Sequence, residues 1–575
     1  MNNKSLGTSP YIITYLCIAL LSFTSHAKPV QQYFENDDSV TFSNDQLKSS
    51  NRQHENPLIS VKHFDISKLL DSAPEGIEKE VLEEIISKDQ KDNNQRYNID
   101  RLELLAQKIT QYYRQQGYIL SKAYFPKQNL INGGLSLDIV YGNINKVTAV
   151  NHDHYSQSRI TKPFESLLGK PTHVSSLESS LLELNQYPGL TTKSRFRKSD
   201  DVGQTQIDIF VTDEKISDFN LRVDNYGSKY TGSMRGMLTA ELYNVADMAD
   251  KLSLNMLATV EPSNSLYVGA EYSMRWSPRF NSQALNNAFK YGLVTKVGYQ
   301  ESQYTVGGEF KLAQIEGTAN TTYAGVGKHL ILQNDLQVFS EITFSQKQAA
   351  SYQNDRTQIQ DKLSVLKLSG NISWHDFLGS PSANSLQVDY SMGLPGIAGS
   401  YENDAEEISR VTMDGDTAPM DFTKVNLLYM RNQAVGPYQL LSKVNIQATN
   451  DLLLSSELSN LGGPSAVRGY SSSDFSGDRT TALTLEFSGK TAAHTFSIPI
   501  SDLKLAAFAD YGIGERIKPD SNVLGDTEML SIGGYAQFLK EGSFSSKIEI
   551  AVPMMPVGNT EDQSFEILFN FDRGF

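Results

Sequence analysis

The sequence predicts two small α+β modules followed by an all-β outer-membrane barrel of about 16 antiparallel strands. Three observations predict this fold class. The 575 residues include 28 Tyr, 26 Phe and 40 Gly but only 2 Trp, a mixture typical of sheets joined by tight turns. Amphipathic strands run from Asp218 to the last residue. Before Asp218, the order strand, helix, helix, strand, strand occurs twice.

The composition excludes several classes of protein. Hydrophobic residues make up 39% of the chain, charged residues 20%, and the mean hydropathy is −0.37, which excludes a helical membrane bundle. The net charge of −15 is opposite to the concentrated basic surface that a nucleic-acid partner requires. We therefore expect no nucleic-acid partner.

The N-terminus has the pattern of a secretory signal peptide. Lys4 precedes an apolar run from Tyr11 to Phe23, and Ala27 supplies the small residue for cleavage, so residues 1–27 are predicted to be removed. Cys17, the single cysteine, lies in this segment. A mature protein of this size without cysteine suits the envelope of a Gram-negative bacterium. Residues 28–56 are polar and are predicted to be a leader or linker.

Two modules are predicted between the leader and the barrel. In the first, residues 57–143, helices are predicted over residues 78–87 and 100–115 because apolar side chains recur at helical spacing. In the second, residues 144–215, helices are predicted over 159–168 and 175–185 and a strand over 205–211. Each module is predicted to contain a strand, two helices and two further strands.

Residues 216–575 alternate apolar and polar side chains along each predicted strand. In Leu503 to Tyr511 every odd position is apolar, while Lys504 and Asp510 occupy the other face. One such strand does not distinguish a membrane barrel from a soluble β-sandwich. An uninterrupted strand pattern of this extent exceeds a normal sandwich, and at about 22 residues per strand and loop it predicts about 16 strands. No helix is predicted beyond Asp218.

Two linked motifs in the barrel region resemble those of a known family. The first is a Val-Arg-Gly-Tyr loop, formed by Val467, Arg468, Gly469 and Tyr470. The second is a Phe-x-Asp-x-Gly strand, formed by Phe508, Asp510 and Gly512. The chain resembles the TpsB transporters, the outer-membrane pores of two-partner secretion, which belong to the superfamily of barrel-assembly insertases. The two upstream modules resemble the paired periplasmic POTRA domains of that family.

The resemblance implies a gate. In the superfamily the loop folds back into the barrel and its arginine pairs with the strand aspartate, so Arg468 is expected to reach Asp510. A planar guanidinium fixes both distance and orientation on a carboxylate. Gly469 would allow a positive-φ turn, Gly512 would leave room for the loop, and Phe508 would pack on Tyr470 or on the arginine stem. The plain alternative is that the pair only holds one loop in place.

The resemblance also implies the partners. POTRA domains bind an extended client by adding it as a strand to a sheet edge, and Tyr118, Pro126 and Gln128 are the expected contacts. For Pro126 and Gln128 the alternative is a turn and its hydrogen bond. The expected partners are a secreted exoprotein of haemolysin or adhesin type, outer-membrane lipid and the barrel-assembly machinery for its own insertion. A monomeric pore is expected. A helix that plugs the barrel, common in the family, would lie in residues 28–56.

Other function classes have less support. The main alternative is an insertase that assembles other barrels, but such proteins usually carry three to five POTRA modules rather than two. A siderophore or haem receptor would need a large N-terminal plug. His152 and His154 lack a third ligand, so no metal site is predicted. We find no phosphate-binding loop and no hydrolase motif, and we expect no cofactor and no enzymatic activity.

Overall fold

The fold was analysed in a computed structural model of the chain. It describes residues 58–575 except 68, 70–72, 202, 229, 262–263, 279–280, 355, 404–407, 413, 473, 493–501, 520–523, 541–543 and 558–564. The predicted signal peptide, leader and plug helix lie outside the described residues. The described residues form two compact units, one that ends at Glu214 and one that begins at Lys215.

The first module pairs two helices with short strands. The elements are β1 (Ile59–Ser60), β2 (His63–Asp65), α1 (Lys79–Asp92), β3 (Arg96–Tyr97), α2 (Ile99–Gln115), β4 (Lys122–Tyr124), β5 (Gly134–Ser136) and β6 (Asp138–Val140). β1 pairs with β3, β2 runs parallel to β5, and β4 is antiparallel to β6. The helices and strands enclose one apolar core, which includes Leu82, Leu105, Ile109 and Leu137.

Local sequence explains the helix boundaries of this module. Asn98 caps α2, because its side chain accepts the backbone N–H of Arg101 at 2.9 Å. Helix α1 extends five residues beyond the predicted end at residue 87. Its polar last turn is stable because Asp89 faces the core, where it accepts hydrogen bonds from the Tyr97 hydroxyl at 3.0 Å and from Lys108 Nζ at 2.6 Å. Burial and the hydrogen bond from its hydroxyl to Asp89 raise the pKa of Tyr97.

The second module has a three-stranded sheet. Its elements are β7 (Asn143–Val150), α3 (Gln157–Thr161), a 3₁₀ helix (Lys162–Leu167), α4 (Val174–Leu184), β8 (Leu190–Lys198) and β9 (Gln204–Glu214), with the strand order β7-β9-β8. The segment predicted as a helix, residues 159–168, is helical through Leu167, but it is α-helical only as far as Thr161. Pro163 lacks an N–H for the α-helical ladder, and the chain tightens into the 3₁₀ turn at this point.

The second unit is a closed barrel of 16 antiparallel strands, which confirms the predicted fold class. Each strand pairs with the next along the chain, and the last pairs with the first. The strands are β10 (Ser217–Asp224), β11 (Met234–Tyr243), β12 (Lys251–Glu261), β13 (Ser265–Trp276), β14 (Leu293–Thr305), β15 (Ile315–Leu332), β16 (Leu336–Gln353), β17 (Arg356–Asp376), β18 (Ser382–Gly393), β19 (Thr423–Val435), β20 (Tyr438–Thr449), β23 (Arg479–Ala492), β24 (Asp502–Glu515), β25 (Asp526–Lys540), β26 (Phe544–Pro553) and β27 (Glu566–Gly574). Between β20 and β23 lies a two-stranded ribbon, β21 (Ser459–Asn460) and β22 (Ser476–Gly477).

The strand faces differ as a membrane barrel requires. Leu505 and Ile513 of β24 are exposed, whereas Phe508 and Asp510 between them are buried. The exposed apolar side chains therefore form the outer face of the barrel, and the other set faces the lumen. Strands β15, β16 and β17 are the long ones, with 18, 18 and 21 residues.

Helices contribute little to this unit. The expectation of no helix beyond Asp218 was wrong, because α5 (Gln283–Ala288) forms in the connection between β13 and β14. Its six residues show no run of apolar spacing long enough to be recognised in the sequence. No helix within the described part of the chain has the length and apolar character needed to cross a membrane.

The buried Asp89 gives a stability prediction. We expect Asp89→Ala to lower the unfolding free energy of the first module by about 2 kcal/mol, because it leaves the buried Tyr97 hydroxyl without its acceptor. Urea unfolding of the full-length protein in detergent, followed by circular dichroism at 222 nm, measures this. Asp92→Ala, at an exposed carboxylate of the same helix, is the control and should leave the transition unchanged.

Candidate functional site: an inward loop seated on the barrel wall

The residues that connect β20 to β23 form a loop that packs on the lumen side of the barrel wall. We call residues 450–478 the inward loop. Backbone bonds close a tight turn at its tip, where Gly463 N donates to Val467 O at 3.1 Å and Val467 N donates to Leu461 O at 3.0 Å. Arg468 follows directly, so the turn sets the direction in which the arginine leaves the loop.

Arg468 binds Asp510 of β24 through three N–H groups. Its Nε lies 2.7 Å from Oδ2, its Nη2 lies 3.0 Å from Oδ1, and its backbone N lies 3.2 Å from Oδ2. Asp510 is fully buried and Arg468 is 7% exposed. The contact is therefore bidentate and shielded from water, a geometry that lysine does not reproduce.

Four further charged side chains surround Arg468, and none of them was predicted from the sequence to lie there. We call Asp510 and these neighbours the seat of Arg468. Arg468 Nη1 lies 3.3 Å from a carboxylate oxygen of Glu486 and 3.3 Å from one of Glu549. Lys504 and Lys547 pair with these two glutamates at 3.4 Å and 3.1 Å. Three cationic and three anionic side chains thus neutralise one another on the wall. The only signal in the sequence was that these charges share the lumen face of neighbouring strands.

An aromatic ring forms the floor of the seat. The guanidinium carbon of Arg468 lies 3.3 Å from the centroid of the Phe508 ring, so the arginine and not Tyr470 takes this surface. The Tyr470 hydroxyl instead lies 2.9 Å from the carbonyl oxygens of Leu530 and Met555. Tyr470 therefore ties the loop to β25 and to the chain after β26.

Two glycines occupy positions where a side chain would not fit. Gly469 has φ +84°, in the region that favours glycine, and a Cβ on it would lie 3.2 Å from Ala551 Cβ of the wall. A Cβ on Gly512 would lie 2.7 Å from Val467 Cγ2 and 2.9 Å from Leu461 Cδ1. Val467 is fully buried in this contact. The missing side chain at Gly512 is therefore what allows the loop to approach the wall.

The three expected client-binding residues lie in the first unit in different environments. Tyr118 is buried, its hydroxyl donates to Glu75 O at 2.9 Å, and its ring packs edge-on against His173 of the second module. Burial and Glu75 raise the pKa of Tyr118. Pro126 is half-buried. Gln128 is exposed and binds both backbone groups of Ser136 in β5, at 2.6 Å and 2.8 Å.

Tyr118 thus stabilises the contact between the two modules, while Gln128 holds the segment after β4 against β5. His152 Nδ1 donates to Tyr155 O at 2.9 Å in a turn of the second module. Among the described residues, no three histidine, aspartate, glutamate or cysteine side chains are arranged to hold a metal ion.

The fit at Gly512 can be tested. We expect Gly512→Leu to displace the inward loop, because its side chain would overlap Val467 and Leu461. Trypsin cleavage after Arg468, followed by mass spectrometry, should then become faster by about tenfold, since a seated Arg468 is buried. Gly236→Leu, on β11 with open space around its Cα, is the control. Unchanged cleavage in Gly512→Leu would contradict the packing described here.

Comparison with known proteins identifies the family. Residues 203–534 match the family model "Haemolysin secretion/activation protein ShlB/FhaC/HecB", and residues 75–142 match "POTRA domain, ShlB-type". The chain is 22% identical over 466 residues to the heme/hemopexin transporter protein HuxB of Haemophilus influenzae, covering 80% of this chain and 78% of that protein. It is 26% identical over 425 residues to the hemolysin transporter protein ShlB of Serratia marcescens, covering 72% and 69%.

A solved structure has the same fold. CdiB from Escherichia coli matches with a TM-score of 0.70 at 18% identity, over 92% of each chain. The matched family, the closed barrel and the ShlB-type POTRA module all agree with the resemblance found in the sequence. The chain therefore belongs to the ShlB/FhaC/HecB haemolysin secretion/activation family, and it is an outer-membrane export pore of two-partner secretion that has periplasmic POTRA modules and a secreted exoprotein as its partner.

Proposed function

We propose that the inward loop is the gate of this export pore and that Arg468 must be seated on Asp510 for the pore to conduct an unfolded polypeptide. The observation that carries the proposal is the buried bidentate pair with its neutral surroundings. If Arg468 left, three carboxylates would face each other with only Lys504 and Lys547 to balance them. Unpaired buried charges are costly, so the seated loop is a distinct state rather than one of many positions.

The loop lies where a gate would act. β10 continues from the periplasmic modules, so strand topology puts the connections after β10, β12 and each alternate strand at the cell-surface end. The inward loop is one of these connections, yet it contacts the wall through β23, β24, β25 and β26. A polypeptide moving through the lumen would therefore pass beside the loop.

The periplasmic modules are proposed to recognise the exoprotein. β8 is an edge strand of the sheet in the second module, and an extended client can add a strand to such an edge through main-chain hydrogen bonds. The segment containing Pro126 and Gln128 is a second contact. Because relatives carry the printed name hemolysin transporter protein, we propose a haemolysin- or adhesin-type exoprotein as the client.

The remaining partners follow from the barrel. Exposed apolar side chains such as Leu505 and Ile513 are proposed to contact outer-membrane lipid. The barrel-assembly machinery is the proposed partner for insertion, and a monomeric pore is proposed as the working state. The sequence contains no phosphate-binding loop, so we propose that folding of the client outside the cell drives export.

Replacing Arg468 tests the gate. We expect Arg468→Ala and Arg468→Lys to reduce export of the exoprotein by at least about tenfold, since neither restores a bidentate contact with Asp510. Export is measured as the exoprotein released into the medium, by quantitative mass spectrometry. Barrel folding is measured in the same cells by heat-modifiable migration in gels.

The matched control is Arg431→Ala. Arg431 also binds a carboxylate, that of Asp376 at 2.9 Å, but both residues belong to the barrel wall and not to the inward loop. It should leave export near the wild-type level. Normal export by a folded Arg468→Ala barrel would show that the pair only holds a loop in place and would remove the proposed gate.

Gln128 tests recognition by the first module. We expect Gln128→Ala to weaken binding of the exoprotein about fivefold, because two hydrogen bonds that fix the segment beside β5 are lost. Binding is measured by fluorescence anisotropy with purified transporter and the labelled N-terminal part of the exoprotein. Gln111→Ala, exposed on α2, is the control, and equal affinities for both variants would argue against this contact.

A further inference from the structure

A second buried arginine lies at the base of the inward loop. Arg410 belongs to the connection between β18 and β19, residues 394–422, which we call the covering loop. Its Nη1 and Nη2 lie 2.6 Å and 2.7 Å from the two carboxylate oxygens of Asp478, the last residue of the inward loop. Arg410 is 5% exposed and Asp478 is fully buried.

Arg410 and Asp478 bring the two ends of the inward loop together. Arg410 Nη1 also donates to Leu453 O at 3.1 Å, and Leu453 N donates to Asp478 Oδ1 at 2.9 Å. Leu453 is near the start of the inward loop and Asp478 is its end. Between them, the ribbon of β21 and β22 brings the two arms together. Ile517, after β24, donates its N–H to the same carboxylate at 2.8 Å.

Apolar packing also holds the base of the inward loop. One buried cluster contains side chains from the wall, the covering loop and the first arm of the inward loop: Leu363, Val365, Ile408, Ala418, Met420, Phe422, Leu452, Leu453, Leu454 and Leu458. A different cluster, formed around Val467 and Tyr470, holds the tip of the inward loop. The base and the tip are therefore packed separately.

We propose that Arg410 is a positioning residue that keeps the base of the inward loop closed throughout export, so that Arg468 stays aligned with its seat. The inference rests on the proposed gate. Arg410 does not touch Asp510 or the groups around it. It acts through Asp478 and Leu453, by tying together the two arms that carry Arg468. The covering loop and the base of the inward loop accordingly stay joined while the exoprotein passes.

The physical reason is the cost of opening the base. Asp478 accepts two hydrogen bonds from Arg410 and one each from two backbone N–H groups, so its carboxylate is fully satisfied only with both loops in place. Separating the loops would leave a buried charge unpaired and expose an apolar cluster. Without Arg410, the two arms would lose their charged link and keep the bond from Leu453 N–H to Asp478, the hydrogen bonds of Gln447, the ribbon and the apolar contacts.

A disulfide between the two loops tests the inference. Ser455 N donates to Ser409 Oγ at 3.0 Å and Ser455 Oγ donates to Ser409 O at 3.4 Å, so the two side chains adjoin and serine-to-cysteine changes add little volume. The only native cysteine, Cys17, lies in the predicted signal peptide. Ser409→Cys with Ser455→Cys is made in the full-length wild type and in Arg410→Ala. Export is measured after oxidation and after dithiothreitol treatment.

We expect Arg410→Ala to lower export about tenfold and to speed trypsin cleavage after Arg468, with barrel folding unchanged. The oxidised cysteine pair should leave wild-type export unchanged and should restore export to Arg410→Ala, and reduction should abolish the rescue. Arg431→Ala is again the matched control, because Arg431 pairs with Asp376 on the barrel wall and contacts neither the inward loop nor the covering loop. It should export normally.

Two results would overturn the inference. One is an oxidised pair that blocks wild-type export until it is reduced, which would mean that the loops must separate. The other is a folded Arg410→Ala barrel that exports normally while Arg468→Ala does not. If Arg468→Ala exports normally, the proposed gate itself fails, so the two failures are distinguishable. If Arg410→Ala does not fold, the effect of the oxidised cysteine pair on wild-type export still tests the inference.

Discussion

The position of the inward loop on the lumen wall depends on one buried contact, the pairing of the Arg468 guanidinium with the Asp510 carboxylate. Closing 16 strands into a barrel turns every second side chain inward, which brings charged residues of neighbouring strands together on the lumen wall. Asp510 is fully buried there, and an arginine brought by a loop satisfies it. The wall contains a buried negative charge that needs a cationic partner, and the inward loop supplies that partner. Barrel and loop therefore form one structural unit.

The same principle operates at the base of the loop with other residues. Asp478 carries a buried negative charge, and Arg410 from a different loop neutralises it. The inward loop is thus held at two points by arginine–carboxylate pairs that share no residue. Each pair fixes orientation as well as distance, because both are bidentate. These directional contacts at tip and base act together with the hydrogen bonds of Tyr470 and the two apolar clusters, and they hold the loop of 29 residues, 450–478, against the wall.

The sequence predicted the elements that follow a simple period and missed those that depend on neighbours in space. Alternation in β24 is enough to predict that Asp510 faces the lumen, and the linked motifs indicated Arg468. Glu486 and Glu549 also alternate correctly, but their distance from a loop arginine depends on the stagger of neighbouring strands, which no single strand reveals. Arg410 lies in a connection without periodicity, and the last turn of α1 is helical only because Asp89 is buried.

The unequal strand lengths give the barrel an uneven rim. Crossing the membrane takes about 10 residues per strand, whereas β15, β16 and β17 have 18, 18 and 21. Val365 of β17 pairs with Gly393, the last residue of β18, so the residues of β17 before Val365 extend beyond β18 at the end that carries the covering loop. An emerging polypeptide would therefore pass a high wall on the side of β15, β16 and β17. It would pass a lower wall on the side of β10 and β27, which have 8 and 9 residues.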